Sequence, residues 1–264
     1  MIKKLIYALR FMTILPLPWK ENEDLVQVSR SSGMFPIVGL IIGTLLALTG
    51  RLIMDIFSGD VRAFLQMILW VFLTGGLHLD GLSDTFDGIG SRQKRERMLE
   101  IMKDSNIGAF GALSLILQLL LKYIFIKELN NISPWLIIIP PVTGRWGQLI
   151  AIYFYPSARK EGMGIFFRQH IRKNELIFAL GTTILIYLLI MPLAFLSVLL
   201  GHGLIIILIS TGISKMLKGL TGDVYGLVCE LGESATLILT VLYASLFSTA
   251  QPLEGMNYLI HLFF

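Results

Sequence analysis

"GGLHLDGLSDTFDG", residues 75–88, places three aspartates directly behind an apolar run. Asp80, Asp84 and Asp87 are spaced i, i+4 and i+7, so a helix here sets all three carboxylates on one face. Like charges so arranged repel, and something must offset them. What surrounds the stretch decides the kind of protein. Of 264 residues, 55% are hydrophobic and 15% charged, against about 25% charged in an ordinary soluble domain. Mean hydropathy is +0.73. A water-soluble core of this length could not hide so much apolar surface, so the chain reads as a polytopic membrane protein.

Apolar runs at 34–57, 61–79, 108–129, 132–155, 175–200, 203–219 and 224–247 are each close to the ~20 residues that span a bilayer. They lack strand alternation, and lipid tolerates only helices or closed barrels. The expected fold is all-α: one transmembrane bundle over residues 1–264, with about seven spans. A short "SGD" turn joins the first two spans as a hairpin. Residues 1–15, "MIKKLIYALRFMTIL", read as an amphipathic helix on the membrane surface rather than a cleaved signal. Pro140, Pro141 and Pro192 mark kinks or ends. Gly39 and Gly43 form one GxxxG pattern, compatible with close helix packing or a homo-oligomer.

The basic residues set an orientation. Lys3, Lys4, Arg10, Lys20 and Arg30 precede the first span. Arg92, Lys94, Arg95, Arg97 and Lys103 fall in the loop 80–107. Arg159, Lys160, Arg168, Arg172 and Lys173 fall in the loop 156–174, and Lys215 and Lys218 end the sixth span. With the N-terminus inside, these groups, most of the 22 Lys and Arg, are cytoplasmic, and the Lys/Arg-free tail after 247 lies outside. The net charge of +4 therefore reflects topology rather than nucleic-acid binding. Cys229 is the single cysteine, so no internal disulfide forms.

On this topology acids gather at the cytoplasmic span ends. Asp80, Asp84 and Asp87 leave the second span, Asp104 precedes the third in "MKDSNIGAFG", and Asp223 opens the seventh with Glu230 and Glu233 deeper. Acids so close to hydrocarbon are costly and point to function. Protonation, pairing with Arg and Lys, or a divalent cation would each relieve the repulsion. Mg²⁺ takes oxygen ligands and shares them with phosphates, and no Cys/His cluster favours zinc. Helix capping is the plainer account of Asp80 or Asp104 taken singly. Glycines 75, 76, 81, 88, 108 and 111 suit either a phosphate cradle or helix packing, and a helix starting near Ile107 would offer N–H groups to an anion. Arg145, inside the fourth span, pairs with an acid or binds phosphate. His78 donates to Asp80 or a phosphate, or is a satisfied interhelical histidine. "SRQKRERM" reads as a solvated, topology-setting face, and Lys215 and Lys218 as snorkelling side chains.

"GGLHLDGLSDTFDGIG", "RMLEIMKDSNIGAFG", "GR" at 144–145, "KEGMG" at 160–164 and "LTGDVYGLVCELGE" together resemble the cobalamin synthase, or adenosylcobinamide-GDP ribazoletransferase, family. The opening "ALRFMTILPLP" and "FPIVG" do too, so the likeness follows the chain in order. Two positions depart: Ile14 stands where the family commonly has the Arg of "TRLP", and Asn106 where Arg follows "MKDS". Neither carries an Arg–phosphate contact here.

The resemblance implies a Mg²⁺-dependent integral enzyme of a bacterial or archaeal inner membrane, its active site facing the cytoplasm. It would join adenosylcobinamide-GDP to α-ribazole or its 5′-phosphate and release GMP, late in vitamin B12 synthesis. On that reading Asp80, Asp84, Asp104 and Asp223 hold the metal. Asp87, with Glu230 second, takes the hydroxyl proton, and His78 assists. Arg145, Lys215, Ser105 and Gly81 contact substrate. The logic resembles CDP-alcohol phosphotransferases, although Asp84 and Thr85 stand in the places of their DGxxAR motif. Rival readings are a lipid head-group transferase, an ion-coupled transporter and a structural membrane protein.

Overall fold

The computed structural model describes residues 1–17 and 25–247. Among the described residues the structure is helical, with one isolated parallel bridge between Ser157 and Leu220. Helix α1 (Ile2–Met12) is followed by α2 (Leu25–Arg30), which passes through a 3-10 turn into α3 (Phe35–Leu52). Then come α4 (Gly59–Thr74), α5 (Leu77–Gly90), α6 (Arg95–Ile101) and α7 (Ala109–Ile132). A 3-10 stretch, Pro134–Ile138, opens into α8 (Ile139–Phe154), and α9 (Met163–His170), α10 (Lys173–Ile190), α11 (Phe195–Leu217) and α12 (Gly222–Phe247) complete the order. Among the described residues six stretches are long and apolar enough to cross a membrane, seven if the bent pair α4–α5 is one span. Lys20 and the expected exterior tail after 247 lie outside the described residues.

Several expected boundaries move. The fifth and sixth runs were expected to divide near residue 202, but the break lies at 191–194, and residues 195–202 belong to α11. Pro192 explains it: without an N–H and with a ring that clashes with the preceding turn, it ends α10. Pro140 and Pro141 sit in the first turn of α8, where a missing N–H costs nothing. The segment 80–107, expected as a loop, is mostly helix: α5 and α6 occupy it. The second run stops at Thr74 because Gly75 and Gly76 both take left-handed backbone (φ 60° and 71°), and α5 leaves α4 at 88°.

Helix α8 is central. Its stretch is 89% buried, against 28% for α7 and for α10, which present apolar faces outward. α12 and α3 both pack against α8. The GxxxG pair seats α3 against α8 and the 3-10 stretch that opens into it: a Cβ on Gly39 would sit 2.4 Å from the Pro141 carbonyl oxygen, and one on Gly43 2.6 Å from Ile138 Cα. These glycines therefore serve packing within the chain.

Polar ties gather the site's elements at one end of the bundle. Arg95 of α6 donates to the carbonyls of Leu217, at the end of α11, and Ala158, at 2.6 and 2.7 Å. That corrects the reading of "SRQKRERM" as wholly solvated, since a cation is favoured at a helix C-terminus. Leu220 N–H donates to the Pro156 carbonyl (2.8 Å) and Ala158 N–H to that of Leu220 (2.9 Å), which ties the exit of α8 to the start of α12. On the same side, Lys4 of α1 pairs with Glu175 of α10 at 3.2 Å.

Gly43→Leu is expected to overpack α3 against the 3-10 stretch at Ile138 and cost about 1–3 kcal/mol, read as a lowered midpoint of unfolding in detergent micelles. An unchanged midpoint together with a change of oligomeric state would move Gly43 to an intermolecular contact instead.

Candidate active site

Helix α5 carries Asp80, Asp84 and Asp87 at the predicted helical spacing. It crosses α12 with almost nothing between the backbones. A Cβ on Gly81 would lie 2.5 Å from the Asp223 carbonyl oxygen, and one on Gly226 would lie 3.1 Å from that of His78. Gly81 is therefore the contact point of two helices, and the structure places it against α12 rather than facing a substrate.

That crossing delivers Asp223 to the α5 acids. Asp84 lies in the electrostatic field of Asp80, Asp223 and Asp87, and Asp223 in that of Asp80. A cation, Arg159, faces this group. Arg159 Nη1 is 3.1 Å from Asp223 Oδ2, and its Nη2 reaches the Leu99 and Met102 carbonyls at 3.4 and 3.3 Å. Its charge also acts on Asp84. Sequence reasoning counted Arg159 only as a topology-setting residue; its position directly before "KEGMG" was the available signal. Asp80 is exposed and Asp84 half-buried.

Asp87 has a different occupation. Its Oδ2 accepts the Gly108 N–H and its Oδ1 the Gly111 N–H, both at 2.7 Å. α7 has no side-chain cap of its own, so Asp87 caps it from across the bundle. An anion does meet the N–H groups of this helix start, as the sequence suggested, but it is Asp87 rather than a phosphate. Asp104 is exposed and bonded to the backbone and side chain of Asn106 at 3.0 and 2.8 Å, which hold its carboxyl below the usual carboxylate range. Its electrostatic partners are Asn106 and Arg97 rather than the α5 acids. The next residue, Ser105, does reach the site.

Asp80, Asp84, Ser83 and Ser105 line a cleft of about 650 Å³ at the α4–α5 elbow. Phe11, Ile14, Leu77, Leu79, Leu115 and Leu119 form apolar walls. The Ile14 N–H bonds to the Leu73 carbonyl (3.0 Å), which ties the chain after α1 to the elbow.

Deeper in the bundle the acids are fully paired. Lys122 of α7 contacts Glu230 at 2.7 Å and Glu233 at 2.5 Å. Arg145, wholly buried on α8, donates to Glu233 (2.8 Å) and the Pro141 carbonyl (3.0 Å). Gln118 donates to Glu230 at 2.9 Å, and the Lys122 ammonium lies 4.3 Å from the Trp70 ring centroid. Two cations and two carboxylates balance here, so each neutralises a charge that would otherwise be stranded at several kcal/mol. Of the two roles open to Arg145, the structure favours pairing with an acid. Glu230 sits inside this network, away from the cleft lining. Lys122 was missed, although a lysine within an apolar run is itself a signal. His78 is 2% exposed, with neither ring nitrogen bonded among the described residues, beside the charges of Arg145 and Lys122. Lys215 is exposed on α11.

The donor set can be tested against a metal. Among the described residues no group of three or more His, Cys, Asp or Glu stands close enough to form a ready cage. The cleft offers only oxygen donors, from Asp80, Asp84 and two serines, with Asp223 adjoining. Mg²⁺ keeps several waters and takes one or two carboxylates plus substrate phosphates, so this open set fits it where a closed cage is not required.

A family model described as cobalamin-5-phosphate synthase matches residues 4–241. The chain is 39% identical over 243 residues to the adenosylcobinamide-GDP ribazoletransferase of Desulfitobacterium hafniense (strain Y51), covering 90% of this chain and 96% of the relative. It is 38% identical to that of Roseiflexus sp. (strain RS-1), covering 90% and 88%, and 37% identical to that of Clostridium acetobutylicum, covering 93% and 97%. No solved structure matches it.

Asp87→Ala removes the acceptor of two helix-end N–H groups and is expected to cost about 1–2 kcal/mol. Amide hydrogen exchange at Gly108 and Gly111 is expected to quicken by roughly tenfold or more. Unchanged exchange there would refute the capping role.

Proposed function

The chain belongs to the cobalamin-5-phosphate synthase family, and on that premise we propose that it transfers the cobinamide phosphate of adenosylcobinamide-GDP to α-ribazole or its 5′-phosphate, releasing GMP. The observation that carries the site assignment is the α5–α12 crossing, which sets Asp223 beside Asp80 and Asp84 at the edge of a substrate-sized cleft.

The reaction is a displacement at phosphorus. A ribazole hydroxyl oxygen bonds to the phosphorus that carries cobinamide, and the bond from that phosphorus to the bridging oxygen breaks. The bridging oxygen and its electron pair leave on GMP. Such a transfer needs positioning and charge neutralisation more than covalent help. Asp80 and Asp223, with Asp84 adjoining, are the residues that would hold Mg²⁺. When bound, the ion neutralises the diphosphate and the charge developing on the leaving oxygen. Asp84 also faces the cleft, and its carboxylate accepts no protein hydrogen bond among those found in the described residues. We therefore assign it the hydroxyl proton in place of Asp87, whose oxygens serve α7. Ser83 and Ser105 offer hydroxyl donors to phosphate oxygens from the same cleft. Arg159 supplies a cation facing the acids, placed to hold Asp223 and to meet an incoming phosphate.

The active end faces the cytoplasm in this account. Arg95, Lys103, Arg159, Lys160, Lys215 and Lys218 share the end that holds the acids, and basic residues mark the cytoplasmic side. The bulky nucleotide-linked corrinoid also requires open access from water. An ion-coupled transporter is less well supported: the deeper acids that such a site would use are neutralised by Lys122 and Arg145.

Asp80→Ala is expected to lower GMP release at least about 10²-fold, with membrane insertion and micellar size unchanged. Full turnover of the purified variant in Mg²⁺ would remove Asp80 from the chemistry.

A further inference from the structure

The backbone around Asp223 is pinned by its neighbours. The Leu220 N–H and carbonyl are bonded to Pro156 and Ala158 at 2.8 and 2.9 Å. A Cβ on Gly164 would lie 2.7 Å from the Gly222 nitrogen, and one on Gly81 2.5 Å from the Asp223 carbonyl oxygen. None of these contacts fixes the Asp223 side chain, whose outer torsion has a broad minimum and can exchange the two carboxylate oxygens. Thr221, 1% exposed and directly before α12, does reach that side chain. Its carbonyl accepts the Tyr225 N–H at 3.2 Å and its Oγ1 the Val224 N–H at 3.3 Å, the geometry of a helix N-cap. A hydroxyl has one hydrogen to give. The Val224 N–H occupies a lone pair of Oγ1 and an ionised carboxylate only accepts, so that hydrogen goes to Asp223 Oδ2, 3.2 Å away. Arg159 Nη1 lies 3.1 Å from the same oxygen. Among the described residues no hydrogen bond is found at Oδ1.

Resting on the reading of Asp223 as a metal ligand above, we propose that Thr221 is a positioning residue: its hydroxyl holds Oδ2 and leaves Oδ1 as the oxygen presented to the ion. Orientation and charge are divided between the two residues that meet Oδ2. Arg159 brings a positive charge, which opposes a second cation nearby. Thr221 is neutral and orients the carboxylate without that opposition. A hydrogen bond to a ligating carboxylate sets the direction from which it meets its metal, and losing such a bond typically costs about 10–100-fold in affinity. The i, i+2 spacing of Thr221 and Asp223 lets one hydroxyl serve both ends: its lone pair starts α12, and its hydrogen aims the first acid of that helix. A residue that merely capped α12 would leave metal affinity alone.

The test titrates Mn²⁺, which takes the same oxygen ligands as Mg²⁺, into the substrate-free full chain in detergent micelles. Free Mn²⁺ is read by electron paramagnetic resonance, well below the unfolding midpoint of each chain. Thr221→Val removes the hydroxyl at nearly constant volume, and Thr221→Ser keeps it. Thr221→Gly also lacks the hydroxyl but is tolerated at an N-cap, so it serves where the valine chain fails to fold. Loss of the hydroxyl is expected to raise the Mn²⁺ Kd roughly tenfold, with Thr221→Ser within about twofold of the wild type. A lowered midpoint with an unchanged Kd in Thr221→Val, or an unchanged Kd in Thr221→Gly, would overturn the proposal and leave Thr221 as a helix cap alone. A loss of affinity in Thr221→Ser equal to that in the chains without the hydroxyl would overturn it too, because the hydroxyl would not be the cause. No Mn²⁺ bound by the wild type would instead overturn the metal reading of Asp80 and Asp223, and this assignment with it.

Discussion

The whole arrangement depends on the contact between α5 and α12, where the Gly81 backbone touches the carbonyl of Asp223. Any side chain at Gly81 would push the helices apart, and with them Asp223 from Asp80 and Asp84. The left-handed pair Gly75–Gly76 makes the contact possible, because it turns α5 through 88° so that it lies against the start of α12 instead of continuing α4. The tie between Leu220, Pro156 and Ala158 fixes the start of α12 from the other side and brings Arg159 to Asp223.

Charge is balanced differently at two depths. Within the bundle Glu230 and Glu233 meet Lys122 and Arg145, equal in number, in an environment where an unpaired ion is severely penalised. At the cleft Asp80, Asp84 and Asp223 outnumber Arg159, the cation paired with Asp223 among the described residues. The inner network holds α7, α8 and α12 together. The outer surplus of negative charge is what a divalent cation and a diphosphate would complete. Asp87 belongs to neither group, since it faces the acids but is held by the first turn of α7.

Much of this could be read from the sequence. Hydropathy gave the spans, because lipid forces backbone pairing within each helix. The i, i+4, i+7 spacing placed three aspartates on a real helix. Boundaries failed where local chemistry outweighed hydropathy: Pro192 ended α10 inside an apolar run, and two glycines ended α4 before its run was finished. Individual roles were less legible, because spacing says which residues share a helix face but not what lies opposite. Asp87 faces the start of α7, Gly81 faces α12, and Arg145 meets Glu233, each through a contact between residues far apart in sequence. Arg159 and Lys122 went unassigned for the same reason, their partners being visible only once the bundle is closed.

The most direct test is a structure of the wild-type chain with Mg²⁺ and adenosylcobinamide-GDP, without acceptor. The account predicts an ion between the diphosphate and the carboxylates of Asp80 and Asp223, with Asp84 beside it and free to take a proton. A diphosphate bound elsewhere, with Asp80 and Asp223 apart and free of metal, would contradict it.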